Sequence, residues 1–306
     1  MATKTTKPSV TLGQLDRQFP SEEACKAFLQ SVRWPDGKVR CPRCGMGLKI
    51  YAVGSRPFHW KCRNCSKGGY RFSVLTGTVF ENTNAPLQTW FKVAYLMTQS
   101  KKSISALQIH RMIDPVRGSK GSYRTAWYMC HRIRAAMKND TFRKLTGVVE
   151  VDETYIGGEA KNRHGHGGRR WRKGLVPPAK VPVIGAIARK GNVVCQMIEN
   201  TKGATLEAFV HETVSDKVSL VATDEHQGYR YIDRPHASVK HRAGEFVRGN
   251  VHTANLDSFW SLLKRGIVGT FHKVSKDYLP LYLNEFSFRH NNRNNPDIFR
   301  AVIAGC

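Results

Sequence analysis

The sequence predicts an α/β protein in which a small cysteine-rich module and a helical region precede a domain built on a β-sheet. Three observations support this: two Cys-x-x-Cys pairs near the N-terminus, apolar residues at helical spacing over 84–138, and strand and helix signals after Leu145. A length of 306 residues suggests about two domains. The predicted segments are a flexible N-terminus at 1–20, the cysteine module with a flanking helix at 21–80, the helical region at 81–144 and the sheet domain at 145–306.

The net charge of the chain predicts a polyanionic partner. Lys and Arg number 49 against 23 Asp and Glu, which gives a charge of +26. Because neutralising phosphates releases counterions, such a protein binds nucleic acid whatever the base sequence. A ribosome-associated or membrane-surface protein is the alternative. No apolar run approaches the roughly 20 residues that span a bilayer, and the first residues lack the apolar core of a signal peptide, so we expect a cytoplasmic protein without a membrane partner.

Four of the eight cysteines have the spacing of a zinc site. Cys41 and Cys44 form one pair, Cys62 and Cys65 form the other, and 17 residues separate the two pairs. Two intervening residues let both thiolates of a pair reach one tetrahedral ion, and two short strands between the pairs complete a zinc ribbon. The alternative, two disulfides, requires an oxidising compartment that nothing in the sequence indicates. A zinc ribbon binds DNA, RNA or protein, so it does not by itself assign an activity.

Apolar residues at helical spacing over 84–138 predict three helices. The second is expected at 103–112 with Ser103 as its cap, and the third at about 122–138, with Arg124 and Arg132 on its remaining surface. A short helix, a break and a longer basic helix are typical of a helix-turn-helix that contacts DNA. A helical bundle that only links two domains is the alternative.

Three acidic residues of the sheet domain suggest a metal site. Asp152 lies near the end of an apolar strand, Asp224 directly follows another strand, and Asp257 flanks the apolar stripe of a helix. Strand alternation places Glu150 on the side of Asp152 and Glu153 on the opposite side. Three carboxylates on two strands and a helix suit two hard cations that stabilise the attacking and leaving oxygens of a phosphoryl displacement. Each Asp alone also has an ordinary explanation, as a strand end, a turn cap or a helix-dipole partner.

Basic residues near these acids predict further contacts with DNA. Lys264 and Arg265 follow Asp257 by two helical turns and suit the phosphates of a scissile strand. The segment 158–180 is predicted to be a flexible basic insertion between the first two strands of the sheet domain. In it Trp171 is placed to stack on an unpaired base, among basic residues placed to contact the backbone: Arg169, Arg170, Arg172 and Lys173. A solvated loop with the tryptophan folded onto the core is the alternative.

Several segments of the chain resemble bacterial insertion-sequence transposases of the group related to the eukaryotic Merlin elements. The likeness covers roughly residues 20–300 and is carried by the cysteine module and by GVVEVDETYIGG, VATDEHQGYRYI, HTANLDSFWSLLKRGIVGTFHKVS and FSFRHNNR. The resemblance implies a ribonuclease H-like fold for the catalytic domain. The predicted architecture is then α/β, with this domain preceded by a zinc ribbon and a helical, helix-turn-helix-like DNA-binding region. The resemblance also implies a catalytic DDE triad, in which Asp152 and Asp224 match the first two acids. Asp257 stands where the family usually has Glu, which is one methylene longer.

The same resemblance implies an activity and its partners. We expect binding to the terminal inverted repeats of an insertion sequence, followed by strand cleavage and strand transfer that depend on two Mg²⁺ or Mn²⁺ ions. The expected partners are double-stranded DNA, as element ends and target, and further copies of the chain, at least a dimer in a synaptic complex at the bacterial nucleoid. Two alternatives stay open: a catalytically inactive zinc-ribbon DNA-binding regulator, and a ribonuclease H-like nuclease without strand transfer.

Overall fold

The computed structural model divides the chain into two compact units. The first comprises Met1–Lys138 and Asn292–Cys306, and the second comprises Asn139–Asn291. The residues described are 10–113, 122–138, 143–157, 180–239, 245, 247–249 and 251–306. Most of the predicted insertion at 158–180, including all five of its proposed DNA-contacting residues, therefore lies outside the described residues, as do the first nine residues of the N-terminal segment.

The first unit is mainly helical. A cluster of aromatic rings forms part of its core, with Phe91 in edge-to-face contact with both Phe19 and Phe299 at centroid distances of 4.9 and 5.6 Å. Because Phe299 lies in the last helix, the C-terminal segment is part of this core. The helices are α1 (Leu12–Gln18), α2 (Glu22–Arg33), α3 (Leu87–Gln99), α4 (Ala106–Met112), α5 (Tyr123–Ala136) and, after the second unit, α9 (Ile298–Gly305).

The helices α4 and α5 pack against each other and have serine N-caps. The hydroxyl of Ser105 accepts a hydrogen bond from the backbone N–H of Gln108, and Ser122 caps α5 in the same way. The predicted cap Ser103 is wrong by two residues, since Ser103 lies before the helix with a positive φ of 70°. The residues that connect α4 to α5 lie outside the described part of the chain.

The cysteine module forms a three-stranded antiparallel sheet in the order β1-β2-β3. Its strands are β1 (Ile50–Ala52), β2 (His59–Cys62) and β3 (Tyr70–Ser73). Trp60 of β2 and Phe72 of β3 are cross-strand partners, and both are buried, with Trp34 edge-on to the Trp60 ring at 5.2 Å. One face of this small sheet is therefore packed on apolar residues of the same unit.

The second unit is built on a five-stranded mixed sheet in the order β6-β5-β4-β7-β8. Within this sheet β5 pairs antiparallel with both β4 and β6, whereas β7 runs parallel to both β4 and β8. The elements are β4 (Val148–Ile156), β5 (Val181–Ala188), β6 (Val193–Met197), α6 (Gly203–Thr213), β7 (Leu220–Thr223), β8 (His236–Ser238), α7 (Ala254–Gly266) and α8 (Leu279–Asn291).

Helices cover both faces of this sheet. On one face Leu206 and Phe209 of α6 pack with Val149 and Val151 of β4. On the other face the apolar stripe of α7, predicted from its spacing, packs with α8 and with β5. This arrangement confirms the α/β, ribonuclease H-like fold that the resemblance implied. Among the described residues, no helix is long and apolar enough to cross a bilayer.

Candidate active site

The pairing of β4 with β7 brings two of the predicted acids to the same level of the sheet. The parallel register aligns Val148 with Leu220 and Glu150 with Ala222. Asp152 and Asp224 follow two residues later on each strand, just where β7 ends at Thr223. Residues two apart on a strand share a face, so these two carboxylates lie next to each other at the carboxyl end of β7.

Three carboxylates meet at this strand end. Asp152, Glu153 and Asp224 each have an oxygen within 4.8 Å of the other two. Glu153 belongs to the side of β4 that faces Tyr229, as alternation predicts, but the sequence did not identify it as a member of the site. Because β7 ends at Thr223, it no longer lies beside β4 at the level of Glu153. The long Glu153 side chain can therefore reach Asp224 from the opposite face of the sheet.

The electrostatics of this carboxylate group are those of a cation site. Burial raises the pKa of Asp152 to about 7, with further contributions from the charges of Asp224, Glu153 and Asp257. Burial also raises the pKa of Glu153 to about 7, against the opposing effect of the Tyr229 hydroxyl. These raised pKa values reflect burial and the mutual repulsion of the acids, and a divalent cation would stabilise the charged forms of the carboxylates.

Asp257 lies on the first turn of α7, at the edge of this group. Its charge raises the pKa of Asp152, so it is near that carboxylate, but it is not one of the three acids within mutual reach. The hydroxyl of Thr253 donates a hydrogen bond to its Oδ2 at 3.2 Å. Lys264 lies two turns further along α7, on the same side of the helix as Asp257, and its side chain is exposed.

A buried carboxylate holds the N-terminus of α7 against β4. Glu150 is 0% exposed. Its Oε2 accepts hydrogen bonds from the backbone N–H groups of Asn255 and Leu256 at 2.9 and 3.2 Å, and its Oε1 accepts from the Asn255 amide at 2.7 Å. Arg189 donates to the same Oε1 at 3.0 Å, and His252 Nδ1 lies 3.3 Å from it. Because Asp257 follows one residue after these contacts, Glu150 sets the position of the third predicted acid.

The same helix also orients Asp152. The indole Nε1 of Trp260 donates a hydrogen bond to Asp152 Oδ2 at 3.0 Å. Gly185 pairs with Asp152 across β4 and β5, and a Cβ built at Gly185 would lie 2.7 Å from the Trp260 ring. Only a glycine at this register position therefore lets the indole lie close enough to the sheet to reach Asp152.

The four predicted cysteine ligands come together in the first unit. Their Sγ atoms lie within 4.8 Å of one another. The Sγ atoms of Cys41 and Cys65 are 3.6 Å apart, those of Cys44 and Cys62 are 3.7 Å apart, and none of the four cysteines forms a disulfide. This set of four sulfurs is that of a structural zinc site, with one ligand pair before β1 and the other at the end of β2.

The basic residues that were predicted to contact DNA, where the structure describes them, differ in whether their side chains are exposed or already bonded within the protein. Arg124, Lys264 and Arg265 are exposed. The guanidinium of Arg132 instead donates to the carbonyl oxygens of Thr78 and Glu81 at 3.3 and 3.2 Å, so it braces α5 within the first unit.

Comparison with known proteins finds a matching family for a segment of each unit. Residues 144–291 match the ISXO2-like transposase domain, and residues 20–68 match a transposase zinc-ribbon domain. An uncharacterized protein in the transposable element ISH50 of Halobacterium salinarum is 31% identical over 288 residues, which are 89% of this chain and 92% of the relative. An uncharacterized transposase-like protein of Haemophilus influenzae is 28% identical over 122 residues, which are 38% of this chain and 97% of that protein.

Proposed function

The chain belongs to the ISXO2-like transposase family, and on that premise we propose that it binds the terminal inverted repeats of an insertion sequence and performs Mg²⁺-dependent strand cleavage and strand transfer. One observation carries the proposal: Asp152 and Asp224 lie side by side where β7 ends, with a third carboxylate within 4.8 Å. Oxygen-only donors that repel one another suit Mg²⁺ or Mn²⁺ better than softer metals. When bound, two such ions would activate a water and stabilise the attacking and leaving oxygens.

The residues of the site have distinct proposed roles. Asp152 and Asp224 would hold the metal ions together with Asp257 as the third acid, and Glu153 is the competing candidate for that third place. Trp260 orients Asp152 through its indole N–H, which leaves the other carboxylate oxygen for a ligand. Lys264 and Arg265 extend along α7 as exposed cations for DNA phosphates, and Arg124 is a further candidate on α5.

The test uses the full chain and a labelled duplex taken from the DNA that flanks its own gene. With Mg²⁺ and a target plasmid, we expect nicking at the element end and joining of the labelled strand to the plasmid. Asp152→Asn and Asp224→Asn should abolish both products while Glu199→Gln, which changes an exposed acid outside the site, leaves both intact. Nicking without joining would indicate a nuclease instead, and binding without any cleavage would indicate a regulator.

Three further variants identify the third metal-binding acid. Asp257→Asn should abolish cleavage, and Asp257→Glu should retain it, because the glutamate is the usual family residue at this position. Glu153→Gln should reduce the rate only partly if Glu153 lies beside the metals without being an essential ligand. Loss of all cleavage in Glu153→Gln with full activity in Asp257→Asn would assign the third place to Glu153.

The proposal includes an assembly. Two element ends must be held together for strand transfer, so we expect at least two copies of the chain in the active complex. Sedimentation of the protein with and without the labelled duplex measures the number of chains in the complex. An active complex in which one chain holds both element ends would contradict the expected assembly.

A further inference from the structure

One face of the ribbon sheet is solvent-exposed and carries basic side chains. Cross-strand pairing aligns Tyr51, Lys61 and Arg71 in one row, and His59 with Ser73 in the next row. Partners that lie directly opposite each other, and residues two apart on a strand, share a face, so these five side chains lie together. We call them the open face, because none of the five is buried whereas Trp60 and Phe72 on the opposite face are.

The charge of this region has one sign. From residue 37 to residue 80 the sequence contains no Asp or Glu. Asp36, just before this segment, pairs with Arg40, whereas the other cations of the segment have no acid within it to neutralise them, so the segment attracts anions. The same segment contains nine basic residues: Lys38, Arg40, Arg43, Lys49, Arg56, Lys61, Arg63, Lys67 and Arg71.

A cavity of about 230 Å³ lies at one end of the open face. Arg56, His59 and Arg71 line it, together with Ser73 and Thr76. Within the described part of the chain, the guanidinium groups of Arg56 and Arg71 make no hydrogen bond or ion pair, and both side chains are exposed. Two unpaired planar guanidinium groups beside one cavity offer the fork-shaped donors that bind phosphate oxygens.

Packing holds two further cations on this face. The guanidinium of Arg63 lies over the ring of Tyr51 at 5.4 Å, and Tyr51 itself is 53% exposed. The aliphatic stem of Lys61 crosses Gly69, where a Cβ would lie 2.3 Å from Lys61 Cε and where φ is +76°. Gly69 therefore leaves the space in which Lys61 rests on the sheet.

We propose that the open face is a docking surface for the sugar-phosphate backbone of duplex DNA, with one phosphate held in the cavity by Arg56, His59 and Arg71. Lys61 and Arg63 then face the phosphates on either side. Contacts to phosphate carry no base-sequence information, so this surface adds affinity for any duplex and leaves recognition of the terminal repeat to other parts of the chain. The inference rests on the proposed function only in taking DNA as the substrate class.

The test measures DNA binding by fluorescence anisotropy, in EDTA, with the full chain and two labelled duplexes, one from the element end and one of unrelated sequence. Arg56→Gln/Arg71→Gln removes the cavity phosphate contact. We expect the slope of log K against log[salt] to fall by about 1, and the affinity at about 0.1 M salt to fall on the order of tenfold, equally for both duplexes.

A matched variant controls for net charge. Lys38→Gln/Lys67→Gln removes the same two charges from the same acid-free segment but outside the open face and the cavity, and we expect less than about a threefold loss. Zinc content and thermal unfolding should match the unsubstituted chain in both variants. Equal losses in the two variants, or a loss restricted to the element-end duplex, would overturn the proposal. So would unchanged DNA affinity with altered self-association, which would make the face a protein interface.

A measurement on the unsubstituted chain keeps the proposal testable without any variant. Bound duplex should protect Arg56 and Arg71 from phenylglyoxal, as read by mass spectrometry, and equal modification with and without DNA would overturn the inference. Because neither experiment requires cleavage, a chain that binds through the open face but does not cut DNA would refute only the proposed activity. Normal cleavage with unchanged affinity in Arg56→Gln/Arg71→Gln would refute only this inference.

Discussion

Replacing Glu150 with Gln tests whether one buried carboxylate positions the third acid of the site. The glutamine side chain carries no negative charge at the N-terminus of α7 and has a single acceptor oxygen. Donors of Arg189 or Asn255 are therefore left unpaired. A hydrogen bond to a charged group contributes about 1.5–3 kcal/mol, and breaking a buried ion pair costs about 3–5 kcal/mol. Since the Arg189 side chain is 21% exposed and can rehydrate, we expect a loss of about 3 kcal/mol in the free energy of unfolding.

The assay combines calorimetric unfolding with a Mn²⁺ titration of the same sample. Because Asp257 follows the capped residues, Glu150→Gln should also weaken Mn²⁺ binding by roughly 10- to 100-fold. Arg189→Met is the control, since the backbone N–H groups of Asn255 and Leu256 keep their acceptor in it. It should destabilise the second unit while it retains Mn²⁺ affinity. Equal loss of Mn²⁺ affinity in both variants would refute the positioning role of Glu150.

Asp152, Gly185 and Cys62 can each be tested by a single substitution. Because the pKa of Asp152 is raised to about 7 in the folded chain from its ordinary 3.8, the folded state binds more protons between these values and unfolding becomes easier as pH rises through that window. Metal-free Asp152→Asn should therefore unfold less readily than the unsubstituted chain at pH 8, by a few kcal/mol, with the advantage lost near pH 4 in urea titrations. Gly185→Ala should displace the Trp260 ring, destabilise the second unit by about 1–3 kcal/mol and lower cleavage, whereas Trp260→Phe should lower cleavage without that clash. Cys62→Ser should abolish stoichiometric zinc, measured by atomic absorption, and unfold the ribbon at a lower temperature; retained zinc would contradict the four-thiolate site.

Much of the site was predictable because its signals are local. The geometry of a short segment fixes each of these signals: two residues between paired cysteines, an acid at a strand end, and an apolar stripe on a helix. Those signals identified Asp152, Asp224 and Asp257, and the structure brings the first two side by side. The catalytic role of the three stays a prediction until the variants are assayed.

Other members of the site depend on pairings that no short segment reveals. Glu153 appeared to point away from Asp152, and it joins the carboxylate group because β7 ends one residue before Asp224. The sequence placed Glu150 beside Asp152 without a role, since its partners at the start of α7 lie 105 and 106 residues later. The role of Gly185 depends on the strand register, which sets this glycine under the Trp260 ring.

The amino-acid sequence by itself determined the two kinds of ligand set, the class of each unit and the sign of the charge that surrounds them. These follow from residue type and short-range periodicity, which act over one turn or one strand. Only the tertiary structure decided which acids touch, which arginine is already engaged within the protein and which face of the ribbon stays open. Those outcomes depend on strand register and on where a neighbouring strand stops, and both are set by packing between segments that are distant in the chain.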